Sequence, residues 1–314
     1  MKILITDEVA EEAMDLLKEK HEVKFQELRG EELANEIGKY DALMVRSGTK
    51  VTADIIERAD NLKVIGRAGI GVDNIDVEAA SRKGIYVVNS PGGSTRSVAE
   101  LTIGHMLCLA RHIPYADRSI REGKWEKKKL KGIELQGKKL GIIGFGRIGR
   151  EVCRLALAMG MECMAYDPLL SDEEIKRGGA IPSSMEEILK NADFVTLHVP
   201  LIEKTRHMIS TPQFEMMKKN AYIINCARGG IIDEDALYNA LKNGRIAGAA
   251  LDVYEEEPYT GKLRELDNVV FTPHLGASTK EGQIRAGVIC AEQILKVLDG
   301  MEPEYWVNRK MMKG

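Results

Sequence analysis

The chain has 314 residues, 44% of them apolar and 30% charged, with a formal net charge of −3. That length suits two domains with a core each, and the charge gives no whole-molecule field that favours nucleic acid or an anionic membrane. No apolar run approaches the length needed to span a bilayer.

Taken in order, Met1 to Ile5 is too short for a signal peptide and reads as a first strand. Strands are predicted at Lys2 to Thr6, Glu22 to Gln26, Ala42 to Val45, Lys63 to Ile65 and Ile85 to Val88. Helices are predicted at Glu8 to Lys20, Gly30 to Lys39, Thr52 to Asp60 and Val77 to Lys83. Strand–helix alternation of this kind argues a parallel sheet covered on both faces, with ligands beyond the carboxyl ends of its strands. Arg46 and Arg67 fall at two such ends, the second beside the loop Ala68-Gly69-Ile70-Gly71. They are either surface arginines in loops or an anion site, and the glycine-rich backbone favours the anion site.

Pro91-Gly92-Gly93 breaks the pattern, and Ser94 or Thr95 can cap a long apolar helix, Ser97 to Ala110, that should be buried between domains or subunits. Trp125-Glu126-Lys127-Lys128-Lys129 follows and reads by default as a solvated basic arm.

The apolar run Lys139 to Ile143 then ends in Gly144-Phe145-Gly146-Arg147-Ile148-Gly149, and a helical pattern runs from Arg147 to Met159. A second apolar run, Glu162 to Tyr166, ends at Asp167, 18 residues past Gly149. Together these match a dinucleotide fingerprint. Gly144 permits the tight turn, Gly146 lets backbone approach a pyrophosphate, and Gly149 lets helix pack on strand, while Asp167 takes the ribose hydroxyls. The helix N-terminus, opening with Arg147 and Ile148, offers N–H groups to phosphate. A carboxylate at 167 would repel a 2′-phosphate, so NAD is expected over NADP.

Further strands are predicted at Phe194 to Val199, Tyr222 to Asn225, Ile246 to Leu251 and Val269 to Thr272. Helices are predicted near Ser184 to Lys190, Thr211 to Met217, Asp233 to Asn243 and Ser278 to Leu298. The last helix should return to the first domain, with Tyr305-Trp306-Val307 completing it. Arg228, Glu257 and His274 each follow one of these strands, so all three should converge on one rim. An arginine fork grips a carboxylate, a histidine exchanges a proton near neutral pH, and a glutamate beside it fixes the ring. That set suits hydride transfer at a 2-hydroxy acid. His21, His105, His112, His198 and His207 lack such a setting and read as structural, with His198 near the cofactor. The five cysteines are odd in number and lack metal-type spacing, so no metal site is expected, and reduced thiols in a cytoplasmic protein are.

Over nearly its whole length the chain resembles the NAD-dependent D-isomer-specific 2-hydroxyacid dehydrogenases. The resemblance is carried by Val45-Arg46-Ser47, Gly66-Arg67-Ala68-Gly69-Ile70-Gly71, the Gly144 to Gly149 fingerprint, Asn225-Cys226-Ala227-Arg228-Gly229-Gly230, Asp252 to Pro258, and Pro273-His274-Leu275-Gly276-Ala277. It implies an α/β fold of two doubly wound parallel-sheet domains. A Rossmann NAD-binding domain, 99–286, would be inserted into a flavodoxin-like substrate-binding domain, 1–98 and 287–314. Arg228 would bind the substrate carboxylate and carbonyl, His274 would be the acid–base, and Glu257 would orient it. Cys226, Asp252, Gly276 and Ala277 would border the nicotinamide. Arg46, Arg67 and Gly69 would face the substrate, with Lys127 reaching the neighbour's site in a homodimer.

The implied reaction is oxidation of D-3-phosphoglycerate to 3-phosphohydroxypyruvate, the first step of serine biosynthesis. The alternatives are a glyoxylate or hydroxypyruvate reductase and, from another class, a dinucleotide-sensing corepressor-like protein. Ile70 and Val199 depart from the family pattern, which often has threonine there. The chain ends without the regulatory domain of longer relatives, so feedback through one is not expected.

Overall fold

The computed structural model describes residues 1–312; the last two residues of the expected C-terminal return lie outside them. The chain forms two compact units, residues 1–95 with 277 onward, and residues 96–276. These divisions fall at 95 and 276, before the expected 98 and 286. The shift has a local cause: Gly93 packs so tightly on Ala286 that a Cβ there would lie 2.7 Å from the Ala286 Cα, which fastens the start of the last long helix to the first unit.

The first unit has five parallel strands, β1 (Lys2–Ile5), β2 (Glu22–Phe25), β3 (Ala42–Val45), β4 (Val64–Arg67) and β5 (Tyr86–Val88). Helices α1 (Glu11–Lys18), α2 (Gly30–Glu36), α3 (Ala53–Glu57) and α4 (Val77–Arg82) connect them. The strand order is β2-β1-β3-β4-β5, the flavodoxin-like winding, with its switch point between β1 and β3.

The second unit begins with α5 (Thr95–Arg111) and α6 (Ile113–Arg121). Then come β6 (Lys139–Ile143), α7 (Arg147–Ala158), β7 (Glu162–Tyr166), α8 (Asp172–Arg177), β8 (Ile181–Pro182), α9 (Met185–Asn191) and β9 (Phe194–Leu197). The remainder is α10 (Thr211–Met216), β10 (Tyr222–Asn225), α11 (Glu234–Lys242), β11 (Gly248–Leu251) and β12 (Val269–Phe271). Its seven strands run β12-β11-β10-β9-β6-β7-β8, a Rossmann order with one strand added at the edge. Tyr166, Ile143, Leu197, Asn225, Leu251 and Phe271 lie level across six of them. The residues that follow this row therefore share one rim.

The chain then returns through α12 (Lys280–Leu298) and α13 (Arg309–Met312). α12 packs on α1 and β4, close enough that a Cβ at Gly66 would strike Ile294 and Cys290. Trp306 bridges Val88 in antiparallel sense, and Asn308 accepts from the Val87 N–H at 3.0 Å. This is the completion expected of the Tyr305–Val307 segment. α6, α8 and the short β8 were not expected, and Arg67 closes β4 rather than following it.

Candidate active site

The fingerprint turn is built as its glycines require. Gly144 has φ +91°, which favours glycine, and a Cβ there would press on the His198 carbonyl at the switch point between β6 and β9. A side chain at Gly149 would collide with the Gly144 carbonyl oxygen, so α7 seats directly on the turn. A Cβ on Gly146 would meet nothing within 4 Å. That open space lies where Arg147 and Ile148 begin α7, whose N-cap Gly146 has no side-chain cap, so its amides face outward to an anion. Asp167 stands at the end of β7, its two oxygens accepting from the Phe145 N–H at 2.9 Å and the Leu169 N–H at 3.0 Å. A cavity of about 320 Å³ adjoins it, lined by Tyr166, Leu170, Pro182 and Ser183. Backbone donors, an acid and a mostly polar cavity beside it fit a dinucleotide.

On the same rim, loops after β10, β11 and β12 carry Arg228, Glu257 and His274. Asn225 brackets the first loop, its Oδ1 accepting from the Ala227 N–H at 3.0 Å and its Nδ2 donating to the Arg228 carbonyl at 2.9 Å. The Arg228 Nη1 donates to the Ala227 carbonyl at 2.7 Å. Gly229 packs against the second loop, where a Cβ would overlap the Tyr254 carbonyl. Glu257 accepts from the Tyr254 N–H at 3.2 Å through Oε1 and meets His274 Nδ1 at 2.8 Å through Oε2. An ionised carboxylate can only accept, so Nδ1 carries the proton and Nε2 of a neutral ring is the free base.

His274 has φ +53°, a left-handed backbone unusual for a side chain of this size and one often seen at functional sites. Asp252 holds it there. The Asp252 carbonyl accepts from the His274 N–H at 2.9 Å. Its carboxylate, 1% exposed, accepts from the Leu275 and Gly276 N–H groups at 2.7 and 2.8 Å. Cys226 is buried beside it, and that burial, followed by the Asp252 charge, pushes its thiol up to about 12. A cavity of about 650 Å³ opens against Glu257 and His274, walled by Tyr254, Tyr259, Phe271 and Arg264. Two of these rings, Tyr254 and Tyr259, stack with centroids 4.6 Å apart.

Arg46, Arg67 and Gly69 belong to the first unit. Arg46 leaves β3 at the switch point, its loop pinned from one side by Asp7, which accepts from the Arg46 and Thr49 N–H groups at 2.6 and 3.2 Å. From the other side Asn74 Nδ2 donates to the Arg46 and Thr49 carbonyls at 2.7 and 2.6 Å. Gly69 leaves room for a folded Arg67 guanidinium, which a Cβ would overlap. Ala277 is exposed and falls with the first unit, unlike Gly276. Lys127 is exposed on the arm after α6, where neighbouring Lys124 and Lys129 pair with Glu122 and Glu126. Among the described residues no cluster could hold a metal, and all five cysteines are free.

Asn225, Asp7, Asn74 and Thr272 were missed as holders of these loops. Asn225 had a signal, an amide closing the apolar run Tyr222-Ile223-Ile224, where a polar group has to bond its own turn.

Residues 103–276 match the family model described as D-isomer specific 2-hydroxyacid dehydrogenase, NAD binding domain. The chain belongs to the D-isomer specific 2-hydroxyacid dehydrogenases. Its cofactor is NAD. Among relatives of this family, a D-3-phosphoglycerate dehydrogenase of Methanocaldococcus jannaschii is 57% identical over 311 residues, 98% of this chain and 59% of that one. The chain thus spans about three-fifths of the length of such relatives. A hydroxypyruvate reductase of Thermotoga maritima is 51% identical over 95% of this chain and 98% of its own. Among solved structures, a glyoxylate reductase from Paecilomyes thermophila superposes with a TM-score of 0.90 at 30% identity, covering 99% of both chains. A D-lactate dehydrogenase from Aquifex aeolicus, complexed with NAD and lactic acid, gives 0.83 at 28% identity, covering 100% of this chain and 98% of that one.

Proposed function

We propose that this chain oxidises D-3-phosphoglycerate to 3-phosphohydroxypyruvate, with His274 as acid–base, Glu257 as its orienting partner and Arg228 as the carboxylate and carbonyl anchor. The observation that carries the reading is the His274–Glu257 pair, 2.8 Å apart, on the rim that also bears the dinucleotide fingerprint. The names of the phosphoglycerate dehydrogenase relatives support the substrate.

Bound NAD supplies an acceptor for the hydride that leaves C2. The chain's own residues do the rest. Nε2 of His274 takes the hydroxyl proton as the carbonyl forms, and Glu257 stabilises the imidazolium that results. Arg228 holds the carboxylate and the oxygen at C2. Gly144, Gly146, Arg147, Ile148, Gly149 and Asp167 would hold the pyrophosphate and ribose, and Cys226, Asp252, Gly276 and Ala277 would border the nicotinamide. Arg46, Arg67, Gly69 and Lys127 are assigned to the substrate, the arginines for its anionic groups.

The same proposal makes the protein a cytoplasmic homodimer in serine biosynthesis. Trp125, 82% exposed on the basic arm, and the half-buried Leu101, Leu107 and Cys108 on α5 support a second copy. Free thiols support a reducing compartment. Among the described residues no helix is long and apolar enough to cross a membrane.

A second reading, a hydroxypyruvate reductase, is favoured by the Thermotoga relative. Following NADH absorbance separates the two: 3-phosphoglycerate should be turned over with a kcat/KM about a hundredfold above that of glycerate. The reverse ranking selects the reductase. His274→Ala should lower kcat by about a thousandfold for whichever substrate is preferred. Binding of NADH without turnover of any 2-hydroxy acid would leave a sensor.

A further inference from the structure

A line of polar groups runs through the interior of residues 96–276 and ends on the loop that carries His274. His105, on α5 and 2% exposed, has Nδ1 3.5 Å from Cys226 Sγ and Nε2 3.1 Å from Thr272 Oγ1. Thr272 Oγ1 lies 2.6 Å from Asp252 Oδ1, the oxygen that also accepts from the Leu275 N–H.

The terminal acceptor fixes the direction of every bond. A carboxylate only accepts, so the Thr272 hydroxyl donates to it. The Thr272 oxygen is then free to accept from His105, which places the proton on Nε2. Nδ1 is left as an acceptor, and the Cys226 thiol, kept protonated by burial, donates to it. Burial also pushes His105 below the ordinary imidazole range, in keeping with a neutral ring. An imidazole among apolar neighbours on α5 costs desolvation that a leucine would not, and these bonds offset it.

We propose that His105 is a positioning residue for the reaction: as the Nε2–H tautomer it sets the Thr272 hydroxyl on Asp252, and through Asp252 it holds the backbone that aims His274. The proposal rests on the dehydrogenase reading above. His105 reaches the reacting atoms only through Thr272 and Asp252. The loop it steadies is otherwise open, since Pro273, His274 and Leu275 are all exposed and His274 has a backbone that needs external support.

Three measurements test it. Nitrogen-15 NMR on the unsubstituted, cofactor-free chain should show His105 neutral at pH 7 with its proton on Nε2; a proton on Nδ1 overturns the proposal. Amide hydrogen exchange at Leu275 and Gly276, again without cofactor, should speed up about tenfold in His105→Leu and in Thr272→Val. It should return toward the parental rate in His105→Gln, whose amide N–H replaces the Nε2 donor. In turnover, His105→Leu and Thr272→Val should each lower kcat about tenfold, with KM for NAD within about twofold. The double variant should be no slower than the slower single one. Unchanged exchange, or losses that multiply, overturns the proposal. Should His105→Leu fail to fold, Thr272→Val carries the exchange and kinetic arms. If the unsubstituted chain oxidises no 2-hydroxy acid, the functional reading fails and the role in catalysis goes with it, while the first two measurements still decide the bonded line.

Discussion

Asp252 and Asp7 solve one problem in two ways. Each is a buried carboxylate, 1% and 7% exposed, that gathers backbone N–H groups from the loop bearing a proposed functional side chain. Asp252 is held by neutral donors, the Thr272 hydroxyl and two amides. Asp7 adds a cation, Arg29, whose Nη2 lies 2.7 Å away and whose side chain is 42% exposed. The difference follows from what each loop presents. Arg46, proposed to meet an anion, leaves the switch point beside Asp7, and an unbalanced carboxylate would cancel its charge. Arg29 neutralises Asp7 and leaves the field of Arg46 intact. The His274 loop needs geometry more than charge, and dipoles supply that.

Removing each charge should therefore cost differently. Asp252→Asn sets an NH2 group against N–H donors in a sealed site, and we expect a loss of about 3 kcal/mol in urea unfolding with a large fall in kcat. Asp7→Asn should cost about 1 kcal/mol, because Arg29 can turn to water, and should raise KM rather than lower kcat. Equal costs would erase the contrast. Arg29→Met sharpens it: KM for the proposed phosphorylated substrate should rise several-fold, about 1 kcal/mol of binding, with kcat unchanged, and the effect should shrink at high salt. A KM that stays put would mean that Arg29 only anchors the Thr6 carbonyl.

A last effect, no larger, concerns a half-buried carboxylate with cations on both sides. The Arg154 guanidinium first, then Arg96, holds Glu151 down from 4.5 to about 2, joining the start of α5 to α7. A lowered value adds stability above pH 4.5 that is lost as pH falls toward about 2. Screening by solvent limits this to about 1 kcal/mol. Glu151→Gln should remove that much at pH 7 and much less at pH 2 in thermal unfolding; a difference as large at pH 2 would point to packing instead.

Most strands and their alternation were legible because both sheets are parallel and mostly buried, so most strands are short apolar runs closed by a glycine or polar residue, the exposed β2 and the two-residue β8 excepted. The glycine fingerprint and the His274 and Glu257 loops were legible for the same reason: their residues follow strand ends. α8 escaped although Ser171 and Glu174 form a capping box, because Asp172–Arg177 contains one apolar residue and so shows no periodicity. α6 escaped because His112, at φ +53°, ends the α5 pattern and a new helix starts at once with Pro114 in its first turn. His105 was read as structural. Its partners are 121 and 167 residues away, and no local pattern reports a neighbour brought in by a β-strand of another loop.

The return of α12 and Trp306 to β1–β5 bears on the order in which the protein matures on the ribosome. One face of that sheet is closed by Cys290, Ala291, Ile294, Val297 and Trp306, all made after residues 96–276. The unit whose strands emerge first thus seals only after residues 96–276 have been made. Residues 96–276, complete in sequence before α12 emerges from the exit tunnel, have both of their apolar clusters in hand earlier. During synthesis the nascent β1–β5 sheet exposes one oily face, and a trigger for chaperone capture should map to Ile3, Met44 and Val64 rather than to the nucleotide-binding half.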